Sequence, residues 1–285
     1  MVFPARQVAN TEAKFVDAIG DRAQKLVERL DLSASAVAYF SGSLLDGVGD
    51  ASSDYDVYVL TSYEDIFERR HGFERERNLQ QARHGAGLLY LEIDGTEYDV
   101  EFHVISKLEE MMLSLREYQA RDSIDSFTSF DSLGRYERVE GQSFLHRFRI
   151  GLPFHNAERF AVLRDAFPNE AFFLWQCDYF IEAAGDFTKG VRRSLRENDP
   201  ENAYLKLTRL YDTIADLALA RQGQSLDRWK WRLPKLRLHS DPALLDAYLR
   251  VQLCRDGGDL TAFCARMLEQ ATELLAPLRG EAARV

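Results

Sequence analysis

The sequence AVAYFSGS occupies residues 36–43, and SSDYDVYVL occupies residues 52–60. The first stretch is an apolar, strand-like run that ends in a Gly-Ser turn. The second is also strand-like, and it begins with two aspartates, Asp54 and Asp56. Side chains two positions apart in a β-strand point to the same face of the sheet. The spacing therefore predicts that the two carboxylates lie side by side.

This pair of carboxylates indicates a cation site. Two like charges held close together disfavour joint ionisation unless a cation lies between them. Mg²⁺ fits such a site, because it takes hard oxygen ligands and is usually held by one or two carboxylates together with substrate phosphates. The sequence therefore predicts a magnesium site at the start of the second strand.

A later strand-like stretch carries two more acids. Residues 95–104 read GTEYDVEFHV, with a strand expected over residues 97–105, in which Asp99 and Glu101 alternate with apolar residues and so project to one face. The Asp94-Gly95 pair before it lies between two apolar runs, which is a strong signal for a β-hairpin. If these acids were ordinary surface groups, four carboxylates on two neighbouring strands would be unexplained, since like charges destabilise a sheet.

Together these motifs resemble those of the polymerase-beta-like nucleotidyltransferase superfamily. The pattern is closest to the small-molecule enzymes of the kanamycin, or aminoglycoside, type. The resemblance implies that Asp54, Asp56 and Glu101 hold the metal, with Asp99 as an active-site neighbour. The wider superfamily pattern, an acid between two apolar residues, equally allows Asp99 as the third acid. Whichever of Glu101 and Asp99 completes the site would be either a metal ligand or the base that takes the acceptor proton. On the kanamycin-type match, Glu101→Gln is expected to be more damaging than Asp99→Asn.

The resemblance also implies the reaction. An acceptor hydroxyl attacks the α-phosphorus of a nucleoside triphosphate, expected to be ATP, and pyrophosphate leaves. Catalysis is then mainly positioning and electrostatic stabilisation, and two Mg²⁺ ions would clamp the attacking and leaving oxygens. Gly42 would let the backbone approach the triphosphate, because it has no Cβ. Ser43 would offer a hydroxyl and an N–H to a phosphate.

The C-terminal half contains further candidates. Glu182 lies in the stretch FIEAAG, which is similar to the setting of the catalytic base in kanamycin-type enzymes. The alternative is a helix carboxylate paired with Lys189 or with another neighbour. Residues 229–235 read WKWRLPK. Lys230 and Lys235 could bind the triphosphate there while the tryptophans stack on a base, or the segment could be a loop whose tryptophans cap the helices.

A basic group precedes these candidates along the chain. It contains His146, Arg147, Arg149 and His155, which flank a Gly-Leu-Pro turn signal at residues 151–153. This group is expected to line the cleft between two domains. No spacing of His and Cys residues suggests zinc. His103 is expected to share the face of the acid two residues before it and to support it.

The pattern of elements predicts an α+β protein. A nucleotidyltransferase-like α/β head with a small mixed sheet is expected over residues 1–120, and an α-helical bundle over residues 136–285. A stretch rich in Ser, Asp and Gly at residues 120–135 is the predicted connection. Helices are expected at residues 10–30, 107–119, 138–149, 156–166, 169–197, 200–222, 241–255 and 258–278.

Composition restricts the partners. The net charge of −10 over 285 residues argues against broad nucleic-acid binding and favours a neutral or cationic small-molecule acceptor. The three cysteines are odd in number and lie far apart or on helical stretches, so they predict reduced thiols in a cytoplasmic protein. No apolar run is long enough to span a bilayer, and the N-terminus lacks the apolar core of a signal peptide. A homodimer is compatible with the sequence.

Other functions fit the same motifs. A protein-directed enzyme would AMPylate a partner, and an RNA-directed one would modify tRNA, although no basic tract favours RNA. A degenerate fold could instead bind nucleotide without turning it over. The presence of the Gly-Ser turn and both aspartates argues against degeneration, because degenerate copies tend to lose an acid.

Overall fold

The structure is a computed structural model that describes residues 20–49, 53–62, 65, 79–81, 87–119, 132–133, 136–226, 228–254 and 258–280. The chain divides into two compact units, Met1–Pro168 and Asn169–Val285. The first unit contains a mixed β-sheet with helices, and the second is helical in its described parts. The predicted α+β class is therefore confirmed.

A mixed sheet forms the first unit. Its strands are β1 (Val37–Ser41), β2 (Tyr55–Thr61), β3 (Leu79–Gln81), β4 (Gly87–Ile93), β5 (Thr96–Val104) and β8 (Leu152–His155), with the short pair β6 (Ser132–Leu133) and β7 (Tyr136–Glu137) forming a separate sheet. The strand order in the large sheet is β3-β4-β5-β2-β1-β8. Strands β2 and β5 run parallel, and the other neighbours are antiparallel.

Helices of the first unit pack on the two faces of this sheet. They are α1 (residues 20–30), α2 (Ile105–Gln119), α3 (Arg138–Arg149) and α4 (Ala157–Asp165). On one face, Leu26 and Leu30 of α1 join a buried apolar cluster formed by alternate strand residues such as Val57. On the other face, Tyr39 contacts the rings of Phe148 in α3 and Phe160 in α4. The predicted hairpin and the helix predicted after it at residues 107–119 are confirmed to within a few residues. The helix predicted at residues 10–30 is confirmed from residue 20, and its earlier part lies outside the described residues.

The sheet unit extends further along the chain than the sequence indicates. Strand β8 pairs with β1, so the segment from α3 to α4 belongs to the sheet unit, and the division falls after Pro168 instead of at 120–135. Of residues 151–153, predicted as a turn, the last two are the first residues of this strand. A four-residue edge strand that contains Pro153 has no alternating pattern to reveal it, and an edge is where a proline is tolerated.

The second unit consists of helices in its described parts. They are α5 (Asn169–Arg196), α6 (Pro200–Arg221), a 3₁₀ turn (Trp229–Trp231), α7 (Arg232–His239), α8 (Pro242–Gln252) and α9 (Leu260–Gly280). Asp199 caps α6 and Pro200 occupies its first turn, as is common at helix starts. Helix α7 is short and contains Pro234, so the sequence did not predict it. Among the described residues, no helix combines the length and apolar character needed to cross a membrane.

The three cysteines allow a direct test of this fold. Cys177 and Cys264 are buried and Cys254 is half-buried. Burial raises the pKa of Cys177 and of Cys264 to about 11, so both are neutral thiols at pH 8. Because the thiolate is the reactive form, we expect Ellman's reagent at pH 8 to modify Cys254 rapidly in the folded protein and all three thiols after denaturation. A rapid thiol that persists in Cys254→Ser would contradict this packing.

Candidate active site

One face of the sheet carries acidic side chains on the parallel pair β2 and β5. Asp56 lies directly opposite Asp99, and Tyr58 lies opposite Glu101. Because alternate residues of a strand share a face, these four side chains lie on one side, and all three acids are half-buried. We call this surface the acidic face. It lies on the side of the sheet that α3 covers.

Gly42 follows β1 and lies against this face. Its φ is +84°, in the left-handed region, which favours glycine. A Cβ at Gly42 would lie 1.8 Å from Oδ2 of Asp56, which is closer than two non-bonded atoms can approach. The glycine of the Gly-Ser turn is therefore required twice, once for its backbone conformation and once because the turn packs against the carboxylate.

The Gly-Ser turn continues into a compact loop that closes on Ser43. The carbonyl oxygen of Ser43 accepts hydrogen bonds from the N–H groups of Val48 (3.1 Å) and Gly49 (2.8 Å), and that of Gly42 accepts one from Asp46 (3.0 Å). A Cβ at Gly49 would lie 2.9 Å from the Ser43 hydroxyl oxygen. The loop thus holds Ser43 at the end of β1. Nothing in the sequence pattern singles out Gly49, because its close contact arises only when the loop closes.

Arg147, in the last turn of α3, supplies a positive charge to the acidic face. Its Nη1 lies 3.0 Å from Oε1 of Glu101 and 3.9 Å from Oδ1 of Asp56. The guanidinium carbon lies 5.3 Å from the centroid of the Tyr58 ring. The side chain is only 4% exposed. The backbone is anchored too, since the Ser41 hydroxyl donates to the Arg147 carbonyl at 2.7 Å.

Glu101 has partners on both carboxylate oxygens. Besides Arg147, the Tyr58 hydroxyl donates to Oε1 at 3.2 Å, and Nε2 of His103 lies 3.2 Å from Oε2. His103 is buried and stacks on Phe144, with 4.1 Å between the ring centroids. The expectation that His103 supports this acid agrees with the geometry. Tyr58, which the sequence reasoning missed, follows the same alternation along β2.

The end of α3 also contacts the loop after Gly42. Nε2 of His146 lies 3.1 Å from Oδ2 of Asp46, and these side chains are 1% and 8% exposed. Burial lowers the pKa of Arg149, while the nearby charge of Asp46 opposes this shift. His155 lies elsewhere, with Nε2 3.0 Å from the carbonyl oxygen of Ser33. The last turn of α3 therefore contacts both the loop after Gly42 and the strands β2 and β5 of the acidic face.

Asp54 borders the acidic face. It is exposed and comes immediately before β2, which begins at Tyr55. In the parts of the chain that the structure describes, no group of three or more His, Cys, Asp or Glu side chains is arranged to hold a metal ion. The oxygens of Asp56 and Asp99 have the chemistry that Mg²⁺ prefers. Glu101 does not fit as a ligand in this arrangement, because Arg147, Tyr58 and His103 occupy both of its oxygens.

The lysines predicted to bind nucleotide differ in their surroundings. Lys235 is 0% exposed and its Nζ donates to the carbonyl oxygen of Ser225 at 2.5 Å, so its proposed role at a triphosphate is corrected to a core role. Helix α7, which the sequence did not predict, turns this side chain into the interior. Lys230 is exposed, with Nζ 4.7 Å from the centroid of the Trp231 ring, and Trp229 is 79% exposed.

Glu182 is exposed on α5. The alternative predicted for it, an ion pair with Lys189, is not formed, because Lys189 pairs with Asp186 at 3.0 Å. Its role as a base therefore stays a prediction from the resemblance.

Comparison with known proteins identifies no family. No family model and no curated protein matches the sequence. The chain is similar to the crystal structure of a nucleotidyltransferase-like protein from Exiguobacterium sibiricum 255-15, with 13% identity over 92% of this chain and 75% of that one, at a TM-score of 0.48. A likeness this distant does not assign a function, so the function has to be inferred from the geometry of the acidic face.

Proposed function

We propose that the protein is a nucleotidyltransferase that moves a nucleoside monophosphate from a nucleoside triphosphate to a hydroxyl of a small-molecule acceptor, with release of pyrophosphate. The observation that supports this proposal most directly is the contact between Gly42 and the Asp56 carboxylate, together with the position of Asp99 directly opposite Asp56. Because Gly42 has no Cβ, the turn that is proposed to hold a phosphate chain lies directly against the Asp56 carboxylate. Aligned carboxylates beside it suit the cation that accompanies such a chain.

We propose Mg²⁺ as that cation, with Asp56 and Asp99 as its protein ligands and with Asp54, which borders them, as the acid that would join them once the ion is bound. The register supports Asp99 over Glu101 as the third acid, because only Asp99 lies opposite Asp56. Bound Mg²⁺ would offset the charge that develops on the phosphoryl and leaving oxygens. The two-ion form implied by the resemblance, and ATP as the nucleotide, stay predictions.

The protein's own groups would bind and orient the substrates. The hydroxyl and the backbone N–H of Ser43 would hold the β- or γ-phosphate, as in an anion-binding turn. An acceptor without negative charge is favoured by the protein's net charge of −10. The role of Glu182 as the base that takes the acceptor proton stays a prediction from the resemblance.

A direct assay tests the proposal. The protein is incubated with Mg²⁺, each nucleoside triphosphate in turn and a pooled library of hydroxyl-bearing acceptors, and pyrophosphate release is followed together with adduct masses. We expect release with one nucleotide and a matching adduct, both absent in Asp56→Asn. Absence of release with every nucleotide, or equal release by Asp56→Asn, would contradict the function.

A second candidate, a module that binds nucleotide without turnover, is favoured by one observation. Arg147 lies between Asp56 and Glu101, where its charge partly substitutes for a metal ion. Saturable nucleotide binding by calorimetry, without pyrophosphate release under any of the conditions above, would favour this alternative.

The register of β5 leads to a prediction that reverses the order expected from the kanamycin-type match. Asp99→Asn should lower kcat/KM more than Glu101→Gln, because Asp99 would touch the metal and Glu101 would act through Arg147. Loss of a group that only supports a metal ligand typically costs about 10–100-fold, so we expect Glu101→Gln in that range and Asp99→Asn beyond it. Steady-state kinetics at saturating Mg²⁺ decide this, and a greater loss in Glu101→Gln would restore Glu101 as the third acid.

A further inference from the structure

We propose that Arg147 is a positioning residue that serves as the built-in counter-ion of the acidic face, and that a divalent cation competes with it for Asp56. Glu101 is then the anchor of Arg147 and does not ligate the metal. This inference rests on the proposed function only in taking Asp56 as the site of the metal.

The distances around Arg147 support competition between its guanidinium and a cation for Asp56. The same Nη1 atom lies 3.0 Å from Glu101 and 3.9 Å from Asp56, so a cation bound to Asp56 would lie next to a permanent positive charge. The arginine is held in place by its burial, by the Tyr58 ring below it and by the Ser41 hydroxyl on its carbonyl. Like charges this close disfavour each other, so the affinity for the metal depends on Arg147.

The same contacts explain how the acids stay together without metal. Asp56, Asp99 and Glu101 share one face at neighbouring positions of two strands, and their mutual repulsion would favour separation. A guanidinium suits this place because it remains charged and donates to two groups at once. Without Arg147, the acidic face should be less stable without metal and should bind metal more tightly.

The test uses the full chain and Mn²⁺ as the probe. Mn²⁺ binding is measured by electron paramagnetic resonance, and thermal melting is followed in EDTA and in excess Mn²⁺. Arg147→Gln should bind Mn²⁺ on the order of tenfold more tightly, within the range typical of coupled binding events. It should melt below the parent in EDTA, and Mn²⁺ should reduce the difference by mass action.

Two variants serve as controls. Arg193→Gln makes the same change at an exposed arginine of α5, 3.9 Å from Glu197, and should change neither readout. Arg147→Lys keeps the charge and should retain an Mn²⁺ affinity close to that of the parent. Unchanged or weaker Mn²⁺ binding in Arg147→Gln, or no Mn²⁺ binding by parent and variant, overturns the proposal. So does an Arg147→Gln protein that is unfolded in EDTA and stays unfolded with Mn²⁺.

A double-mutant cycle tests the role of Glu101. If Glu101 acts only by its charge and by anchoring Arg147, adding Glu101→Gln to Arg147→Gln weakens Mn²⁺ binding less than adding Asp99→Asn to the same variant. If Glu101 ligates the metal, its removal weakens Mn²⁺ binding as much as Asp99→Asn does, and its role as an anchor is overturned.

These readouts are independent of catalysis. The expected Mn²⁺ behaviour without pyrophosphate release would contradict the proposed function and leave the role of Arg147 standing. Pyrophosphate release together with an unchanged Mn²⁺ affinity in Arg147→Gln would do the reverse.

Discussion

Asp56→Asn is expected to abolish nucleotidyl transfer, lowering kcat/KM by ~10³-fold or more, the scale seen when a preorganised electrostatic group is lost from an active site. Asp56 contacts the Gly42 turn and lies opposite Asp99, so it is the group most directly placed to hold the metal. The amide is nearly the same size as the carboxylate, so the fold should be retained. Pyrophosphate release measures the activity, and circular dichroism checks the fold.

A matched control distinguishes the loss of the Asp56 carboxylate from the loss of one negative charge elsewhere on the protein. Asp186→Asn removes a carboxylate that is 60% exposed on α5 and pairs with Lys189 three residues along. It should leave transfer unchanged.

Asp54→Asn should also abolish transfer if Asp54 completes the metal site from its position before β2. Full activity in Asp56→Asn would show that the metal site does not lie on the acidic face.

Gly42→Ala is expected to cause a loss of transfer as large as that of Asp56→Asn, together with a loss of stability. The added Cβ would lie 1.8 Å from Oδ2 of Asp56, so either the carboxylate or the turn must move. The positive φ adds backbone strain of about 1–3 kcal/mol for a non-glycine residue. Urea unfolding gives the change in the free energy of unfolding, and the transfer assay gives the change in activity.

Gly47→Ala supplies the control for this substitution. Gly47 lies in the same loop with a φ of +73°, but a Cβ there would meet nothing within 4 Å. This variant therefore measures backbone strain without the clash, and it should lose stability while keeping most of its activity. If Gly42→Ala and Gly47→Ala behave alike, Gly42 is needed only for its conformation and the contact with Asp56 has no functional role.

Local signals in the sequence predicted much of the sheet unit correctly. The Asp94-Gly95 pair forms the tight turn of the β4–β5 hairpin, with φ of 52° and 74° as a two-residue hairpin turn requires. Alternation along β5 placed Asp99 and Glu101 on one face. These features depend on neighbours two to four residues apart, and this is why they can be predicted without knowing the fold.

The roles of Lys235 and Glu101 could not be predicted in this way. Lys235 is buried because α7 forms and turns its side chain into the interior of the second unit. Glu101 binds Arg147, which is 46 residues further along the chain. No local pattern indicates which strand the end of a helix will contact, because that contact depends on how α3 packs across the whole sheet.

The sequence by itself determined the faces of the strands and the Asp94-Gly95 hairpin turn, because alternation and turn conformation are local properties. Only the tertiary structure decided that Asp99 lies opposite Asp56, since the register of two parallel strands is set by packing of both against the core. The tertiary structure also decided that Arg147 lies between Asp56 and Glu101, because a helix terminus reaches that point only when α3 covers the acidic face.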